Sequence, residues 1–284
     1  MMTQTDHPKL AVITINHQHG EMITKMIDSF IALDQDLPTE IFVINNIDDP
    51  VTKNWLKTEH PDITLIENTR PKGFASNVNT VIRQYPDYEF YLLINPDVIC
   101  LPGMLASLLQ EMAADSQAGV TGPTLFNPDG TVQPSRRRFA TFGVLILRAL
   151  HFDAVIKHLP AVDRYLMNDV TFETTTEVDW ITGAVMLIRK QALDQVGLFD
   201  ERFYIYFEDE DLCCRMWQKG WKIVYVTQAQ AYHAHLAEGR KRILSKANFR
   251  HISSAIKMLI KYRGRITQCG KKKTPSHDTL PNGR

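Results

Sequence analysis

The run LLINPDV, residues 92–98, is apolar until Asn95, Pro96 and Asp97 end it. Burial drives the pKa of a carboxylate upward, so an acid at the end of a buried strand stays ionised only beside a cation or hydrogen-bond donors. A hard divalent metal, itself holding a diphosphate, is the partner that fits an oxygen ligand there. A simple turn also accounts for Asn-Pro-Asp, since each of these residues favours turns.

Two more stretches carry groups that could do chemistry. YIYFEDEDLCCR, 204–215, sets Glu208, Asp209, Glu210 and Asp211 directly before a helical pattern. Acids in a first turn complement the helix dipole and Asp caps it, which explains one or two of the four. Carboxylates crowded behind an aromatic run also raise one another's pKa by repulsion and desolvation, which prepares a general base. AYHAH, 231–235, places His233 and His235 on alternate sides of an extended chain, so one of them can face a crevice. A packed or solvated imidazole is the plain alternative.

The elements that must position these groups follow from periodicity. LAVITI (10–15) and EIFVIN (40–45) are short β-branched runs flanking EMITKMIDSFIAL, whose apolar residues recur at helical spacing. DITLIE, a turn at Lys72-Gly73, a helix from about Ser76 to Gln84, the strand FYLLIN and a helix from Pro102 to Ala114 repeat the alternation. This predicts an α/β fold, a mostly parallel sheet with helices on both faces, whose ligands sit at the carboxyl ends of the strands. Further on, VTGPTLFNPDGTVQ reads as a strand and a turn at Asp129-Gly130. VDWITGAVMLIRKQAL reads as a turn, a strand and a helix start. DLCCRMWQKG reads as a helix closed by Gly220, and WKIVYV as a final strand. Phe249, Ile252, Ile256, Leu259 and Ile260 define a last helix over about 245–262, with 264–284 expected to be disordered.

Of the 284 residues, 44% are hydrophobic and 23% charged, and Lys plus Arg equals Asp plus Glu at 32 each, so nothing pulls the whole molecule toward nucleic acid. The balance conceals a basic end: residues 246–284 hold ten Lys or Arg and one acid. No apolar run approaches the roughly 20 residues that span a bilayer, and MMTQTDHPKL lacks a secretory apolar stretch, so the expected location is cytoplasmic. Cys100, Cys213, Cys214 and Cys269 show no disulfide framework by spacing.

In order along the chain, VITINHQHG, VINN, ENTRPKGFASNVN, LLINPDV, GPTLFNPDGTVQPSRRRF, VDWITGAVMLIRK, VGLFDERFYIYFEDEDLCCR and YHAH resemble the inverting family-2 glycosyltransferases of GT-A fold, in particular the rhamnosyltransferase-like branch. The likeness covers about residues 9–240. It implies a GT-A-type catalytic domain over 1–245, with a nucleotide-sugar half at about 9–99 and an acceptor and catalytic half at 100–240, followed by an amphipathic basic helix and tail over 246–284. It also implies transfer of a sugar from a dTDP- or UDP-sugar, with dTDP-L-rhamnose the donor suggested by family likeness. Asp97 matches the last acid of a DxD-like motif in which Asn95 replaces the first, and His233 matches a second ligand for Mn2+ or Mg2+. Asp209 matches the general base. Asn16, Asn45, Asn46, Gly73, Phe74 and Asn79 match positions near the nucleotide sugar, and Trp180 matches an aromatic that packs on the acceptor, with Glu208 and Arg137 beside it. Asn45 departs from the family pattern, which carries a base-recognising Asp there, and ASNVN is bulkier than the usual small-residue loop.

The arginines of PSRRRF suit a diphosphate or an anionic glycolipid, or else a solvated loop. The last helix joins an apolar stripe to basic flanks, and KKK at 271–273 adds charge. That pattern suits contact with an anionic membrane at its inner face, and equally a helix docked on the body. The resulting expectation is a lipid-linked saccharide acceptor in bacterial surface polysaccharide synthesis. Two other classes compete. A nucleotidyltransferase would need a glycine-rich basic triphosphate loop where NHQHG stands, and a silent carbohydrate-binding scaffold would need none of Asp97, Asp209 and His233.

Overall fold

The computed structural model describes residues 10–33, 37–149, 159–234 and 246–270. The first half alternates β1 (Leu10–Asn16), α1 (Glu21–Ile31), β2 (Thr39–Asn45), α2 (Pro50–Glu59), β3 (Thr64–Glu67), α3 (Phe74–Gln84) and β4 (Phe90–Ile94). β5 (Val98–Cys100), α4 (Met104–Ala114), β6 (Ala118–Phe126), β7 (Arg136–Arg137), α5 (Phe142–Ala149) and α6 (Pro160–Leu166) follow. The chain continues through β8 (Thr176–Glu177), β9 (Trp180–Ile181), β10 (Val185–Arg189), α7 (Lys190–Val196), α8 (Glu208–Gln218), β11 (Lys222–His233) and α9 (Lys246–Tyr262).

The main sheet has the order β3-β2-β1-β4-β10-β6-β11-β5, with β8 added beside β11. β3, β2, β1 and β4 pair in parallel, as do β6 and β11, whereas β10 runs antiparallel between β4 and β6. The mostly parallel sheet thus holds one reversed strand at its centre. Successive side chains of β1 face opposite ways. Leu10 and Val12 pack with Ile23, Ile27 and Phe30 of α1 and Leu105 and Leu108 of α4. Ala11 and Ile13 join the opposite core with Val78 and Val81 of α3 and Leu212 and Met216 of α8. Helices therefore cover both faces.

Three departures from expectation bear on the site. β11 runs on to His233, so the AYH stretch lies within the last strand instead of after it. The expectation of no disulfide fails at one pair: Cys214 on α8 is bonded to Cys269, 55 residues later, with Cα atoms 5.0 Å apart. Packing of the terminal turn against α8 creates that contact, which sequence spacing does not show. Residues 264–270 were expected to be disordered, yet a 3-10 turn at Ile266–Gln268 buries Ile266 and Cys269. Residues 271–284, including KKK, lie outside the described residues, as does His235.

The last helix is clamped to the body. Lys261 pairs with Asp200 at 2.8 Å, the Tyr262 hydroxyl donates to Asp211 Oδ1 at 2.7 Å, and Ser254 donates to the Ile205 carbonyl at 2.9 Å. Phe249, Ile256 and Ile260 remain exposed on its outer side. No helix among the described residues is long and apolar enough to cross a membrane.

Candidate active site

The carboxyl ends of β1, β2 and β4 open into a cavity of about 620 Å³, closed opposite by the 204–210 segment and by α9. Strand register builds its floor. β5 and β11 are antiparallel with His233 opposite Val98, and the Ala234 amide donates to the Asp97 carbonyl at 3.0 Å. This brings His233 Nε2 within 3.3 Å of Asp97 Oδ1, although the two residues are 136 positions apart in the chain. Asn95 lines the same floor.

Across the cavity, Tyr206 and Phe207 both hold φ at 70°, a left-handed conformation that costs side-chain-bearing residues energy. The strained pair, packed against the His251 ring of α9 with centroids 5.2 Å away, delivers Glu208 and Asp209 to the cavity wall. Asp209 Oδ2 accepts from the Gly183 amide at 3.0 Å and Oδ1 from the Glu210 amide at 2.8 Å. Burial pushes the Asp209 pKa up, while those amides and the Arg137 guanidinium hold the rise in check. Burial, then the neighbouring Asp209 charge, drives Glu208 well above the carboxylate range. Its Oε2 is buried with no partner. Both carboxyl pKa values are raised, Glu208 the more strongly, so Glu208 is the member of the pair that takes up a proton first as pH falls.

The other two acids do different work. Glu210 Oε1 accepts from the Ala140 amide at 3.3 Å, and Asp211 is buried in a network with Arg215, Lys261 and Tyr262. The three arginines also divide. Arg136 is buried against the Phe172 ring at 4.8 Å, Arg138 pairs with Asp169 at 2.7 Å, and only Arg137 lines the cavity. Pairing of β7 with β9 sets Arg137 beside Trp180, with its guanidinium carbon 5.1 Å from the ring centroid. Trp180 lines the cavity as expected, but one side of the indole is covered by arginine, and its Nε1 donates to the Arg138 carbonyl at 3.0 Å.

The expected nucleotide-side residues split into wall and scaffold. Asn46 and Phe74 are on the wall, Asn46 gripping Lys72 through its backbone oxygen at 3.0 Å and its amide at 2.8 Å. Asn16 and Asn45 lie beneath it: Asn16 Nδ2 donates to Asn45 Oδ1 at 2.9 Å and to Asp49 Oδ2 at 2.8 Å, which takes Asn45 off the cavity surface. Asp49 in turn caps α2 through the Thr52 amide. Asn79 is bonded to both backbone groups of Phe199 and to Glu201, so it braces that loop. The missing side chain of Gly73 makes room for protein and not for ligand, since a Cβ there would run into the Tyr204 carbonyl.

Sequence reasoning missed His17, His19, Lys72, Asn77, Gln133, Arg250 and His251, all of which line the cavity. His17 and His19 come from the β1–α1 loop, where the His17 amide donates to His19 Nδ1 at 2.9 Å and Gln18 has φ 61°. Burial lowers the pKa of both rings, Arg250 adding to the effect at His17 while Asp97 opposes it at His19. The NHQHG spacing was a signal for them. Arg250 and His251 sit on the last helix with no local motif.

Among known proteins, residues 7–253 match the family model described as glycosyltransferase like family 2. The N-acetylglucosaminyl-diphospho-decaprenol L-rhamnosyltransferase of Mycobacterium tuberculosis is 28% identical over 238 residues, 79% of this chain and 75% of its own. The rhamnosyltransferase WbbL of Escherichia coli K12 is 25% identical over 271 residues, 86% of this chain and 97% of its own. GalNAc-T7, solved with UDP, GalNAc and Mn2+, superposes with a TM-score of 0.61 at 13% identity over 81% of this chain, which spans 44% of the GalNAc-T7 chain. The mannosyltransferase PcManGT of Pyrobaculum calidifontis, in complex with GDP-Man and Mn2+, gives 0.55 at 16% identity over 93% of this chain and 73% of its own. These likenesses show the fold to be GT-A. With its family model spanning nearly the whole described body, the chain belongs to the family 2 glycosyltransferases.

Proposed function

We propose that the protein transfers L-rhamnose from dTDP-L-rhamnose, with inversion, onto a lipid-linked saccharide in surface polysaccharide synthesis. The observation that carries this reading is the placement of Asp209 and the Asp97/His233 pair on one cavity. The donor and the acceptor class rest on the names of the two rhamnosyltransferase relatives.

In a single displacement the acceptor oxygen bonds to the anomeric carbon as the carbon–diphosphate bond breaks, and the electron pair leaves with the diphosphate. Asp209, ionised and fixed by two backbone amides, takes the acceptor hydroxyl proton. Neutral Glu208 offers a hydrogen-bond donor to an acceptor oxygen, and Arg137 gives a cation beside it for an anionic glycolipid. Lys72, Asn46 and Phe74 line the nucleotide side.

Asp97 and His233 fit a divalent cation. Their Nε2 and Oδ1 atoms lie 3.3 Å apart on the cavity floor, so a carboxylate and an imidazole together would hold the ion. Among the described residues no third His, Cys, Asp or Glu joins them, and an oxygen and an imidazole ligand would accept Mg2+ or Mn2+. Asp97 and His233 would hold an ion whose charge would offset that of the departing diphosphate. The lipid-linked acceptor further implies a cytoplasmic protein that touches the inner face of the membrane through the outer side of α9.

Isothermal titration with dTDP, UDP, GDP and dTDP-L-rhamnose, with and without Mn2+, tests the donor. Binding of dTDP species strengthened by Mn2+, followed by rhamnosyl transfer to an N-acetylglucosaminyl-diphospho-lipid, is the expected result. Metal-indifferent binding, or preference for another nucleotide, overturns the corresponding part of the proposal.

A further inference from the structure

The hairpin turn after β6, FNPDGTVQ, carries polar residues that the transfer chemistry does not use. Asn127 Nδ2 donates to Thr131 Oγ1 at 2.8 Å, and the Thr131 amide donates to Asp129 Oδ1 at 3.0 Å. The turn folds the chain back so that the Gln133 amide donates to the Leu125 carbonyl at 2.8 Å. The buried Gln133 carboxamide is thereby set against His233.

Its bonds leave one assignment. Gln133 Nε2 lies 2.6 Å from the His233 carbonyl oxygen and 2.8 Å from Asn127 Oδ1. A carbonyl oxygen only accepts, so the amine end must face it and Oε1 must face the ring. Oε1 also only accepts, and it lies 2.9 Å from His233 Nδ1. Nδ1 therefore carries the hydrogen. In the neutral ring the lone pair then belongs to Nε2, the nitrogen 3.3 Å from Asp97 Oδ1.

We propose that Gln133 is a positioning residue that locks His233 in its Nδ1–H tautomer, so that Nε2 and the Asp97 carboxylate present two acceptors as a preformed edge for a divalent cation. The proposal rests on the metal-binding reading of Asp97 and His233. Partners of this kind fix the ring and raise ligand basicity, and their loss typically weakens metal binding about 10–100-fold. The turn would thus act on a bound cation through Gln133 and His233.

The tautomer is read directly, without metal, from long-range 1H–15N correlation spectra of histidine-labelled protein in alkaline buffer, with His233 assigned by its absence in His233→Asn. Nδ1–H is expected for wild type, and loss of that preference for Gln133→Met. An Nε2–H ring in wild type overturns the proposal, whatever the variants do. Paramagnetic titration of Mn2+ in the presence of dTDP gives the second readout. Gln133→Met should bind about 10–100-fold more weakly, and Asp97→Asn at least as weakly as Gln133→Met. Weakening in Asp97→Asn without weakening in a folded Gln133→Met overturns the positioning role and leaves the metal reading intact. Undiminished binding in Asp97→Asn beside an Nδ1–H ring overturns the metal reading and leaves the lock standing.

Discussion

The Gly183 amide donates to Asp209 Oδ2 at 3.0 Å, from a loop that follows β9 to the first turn of α8. The contact orients the carboxylate toward the cavity and, with the Glu210 amide, restrains the rise in pKa that burial imposes.

Asp209→Asn should therefore lower transfer by about 10²–10⁴-fold, the usual worth of a general base, while donor affinity stays within a few-fold of wild type. With Asp209 as the proposed base acting in its ionised form and its pKa raised by burial, the acid limb of kcat/KM against pH should lie above that of an ordinary aspartate. Arg137→Gln removes a charge that lowers that pKa, so the limb should move to higher pH. Unmoved limbs in Arg137→Gln would separate the arginine from the base.

Glu208 predicts a stability profile. Its folded pKa is raised above the unfolded value of about 4.3, so its protonation contributes stability that is fully present below that pH and lost as pH rises through the folded pKa. Above that window the folded protein carries a buried charge beside Asp209. Glu208→Gln stays neutral, so its Tm should exceed that of wild type at neutral and alkaline pH and converge with it in acid. Parallel curves of Tm against pH would show that Glu208 is not the buried proton.

Gly73→Ala should destabilise the protein although its φ of −71° suits any residue. The added Cβ meets the Tyr204 backbone, which cannot step aside as a side-chain tip can, and overpacking of this kind costs about 1–3 kcal/mol. The Phe74 amide, bonded to the Tyr204 carbonyl at 2.8 Å, moves with it, so the strained 206–207 pair and Asp209 behind it lose their setting. Urea melts and kcat together check this. A destabilised variant with full kcat would uncouple the Tyr204 contact from catalysis.

Periodicity was enough to read α1 and α3, because each buries one regular face, and short β-branched or continuous apolar runs were enough for β1, β2 and β4, which are buried on both. It was silent on α2, which buries only Thr52 and Leu56 and has no apolar stripe, although the Asp49-Pro50 cap was available as a signal. The reversed β10 was also hidden, since a strand buried on both faces reads alike in either direction. At the site, the strand end, the acidic run and the last strand singled out Asp97, Asp209 and His233, the family resemblance alone suggested their roles, and the three line one cavity. Asn16, Asn45 and Asn79 were not legible, because an amide that faces a ligand and one that braces a loop look the same until the partner is known. Arg250 and His251 reach the cavity through tertiary packing alone.

That packing gives α9 two sides of different character. Its inner side holds Asn248, His251, Ser254, Ala255 and Met258 against the body, and its outer side shows Phe249, Ile256 and Ile260 with exposed Arg250 and Lys257 and no acid along the helix. An apolar rib flanked by cations is the pattern that settles into an anionic interface, and Arg250 at the cavity edge would bring the active site to the surface where a lipid-linked acceptor lies. The triple variant Phe249→Ser, Ile256→Ser, Ile260→Ser removes the rib without touching the inner side. It should keep its Tm and its kcat on a water-soluble acceptor analogue, yet lose cosedimentation with vesicles rich in anionic lipid and raise KM for a lipid-linked acceptor. Each basic residue near such a surface contributes about 1 kcal/mol, so Lys257→Gln, which removes one charge together with its bond to the Arg202 carbonyl, should weaken vesicle binding several-fold and more so at low salt. Vesicle binding unchanged in both variants would leave α9 with its inner, structural task only.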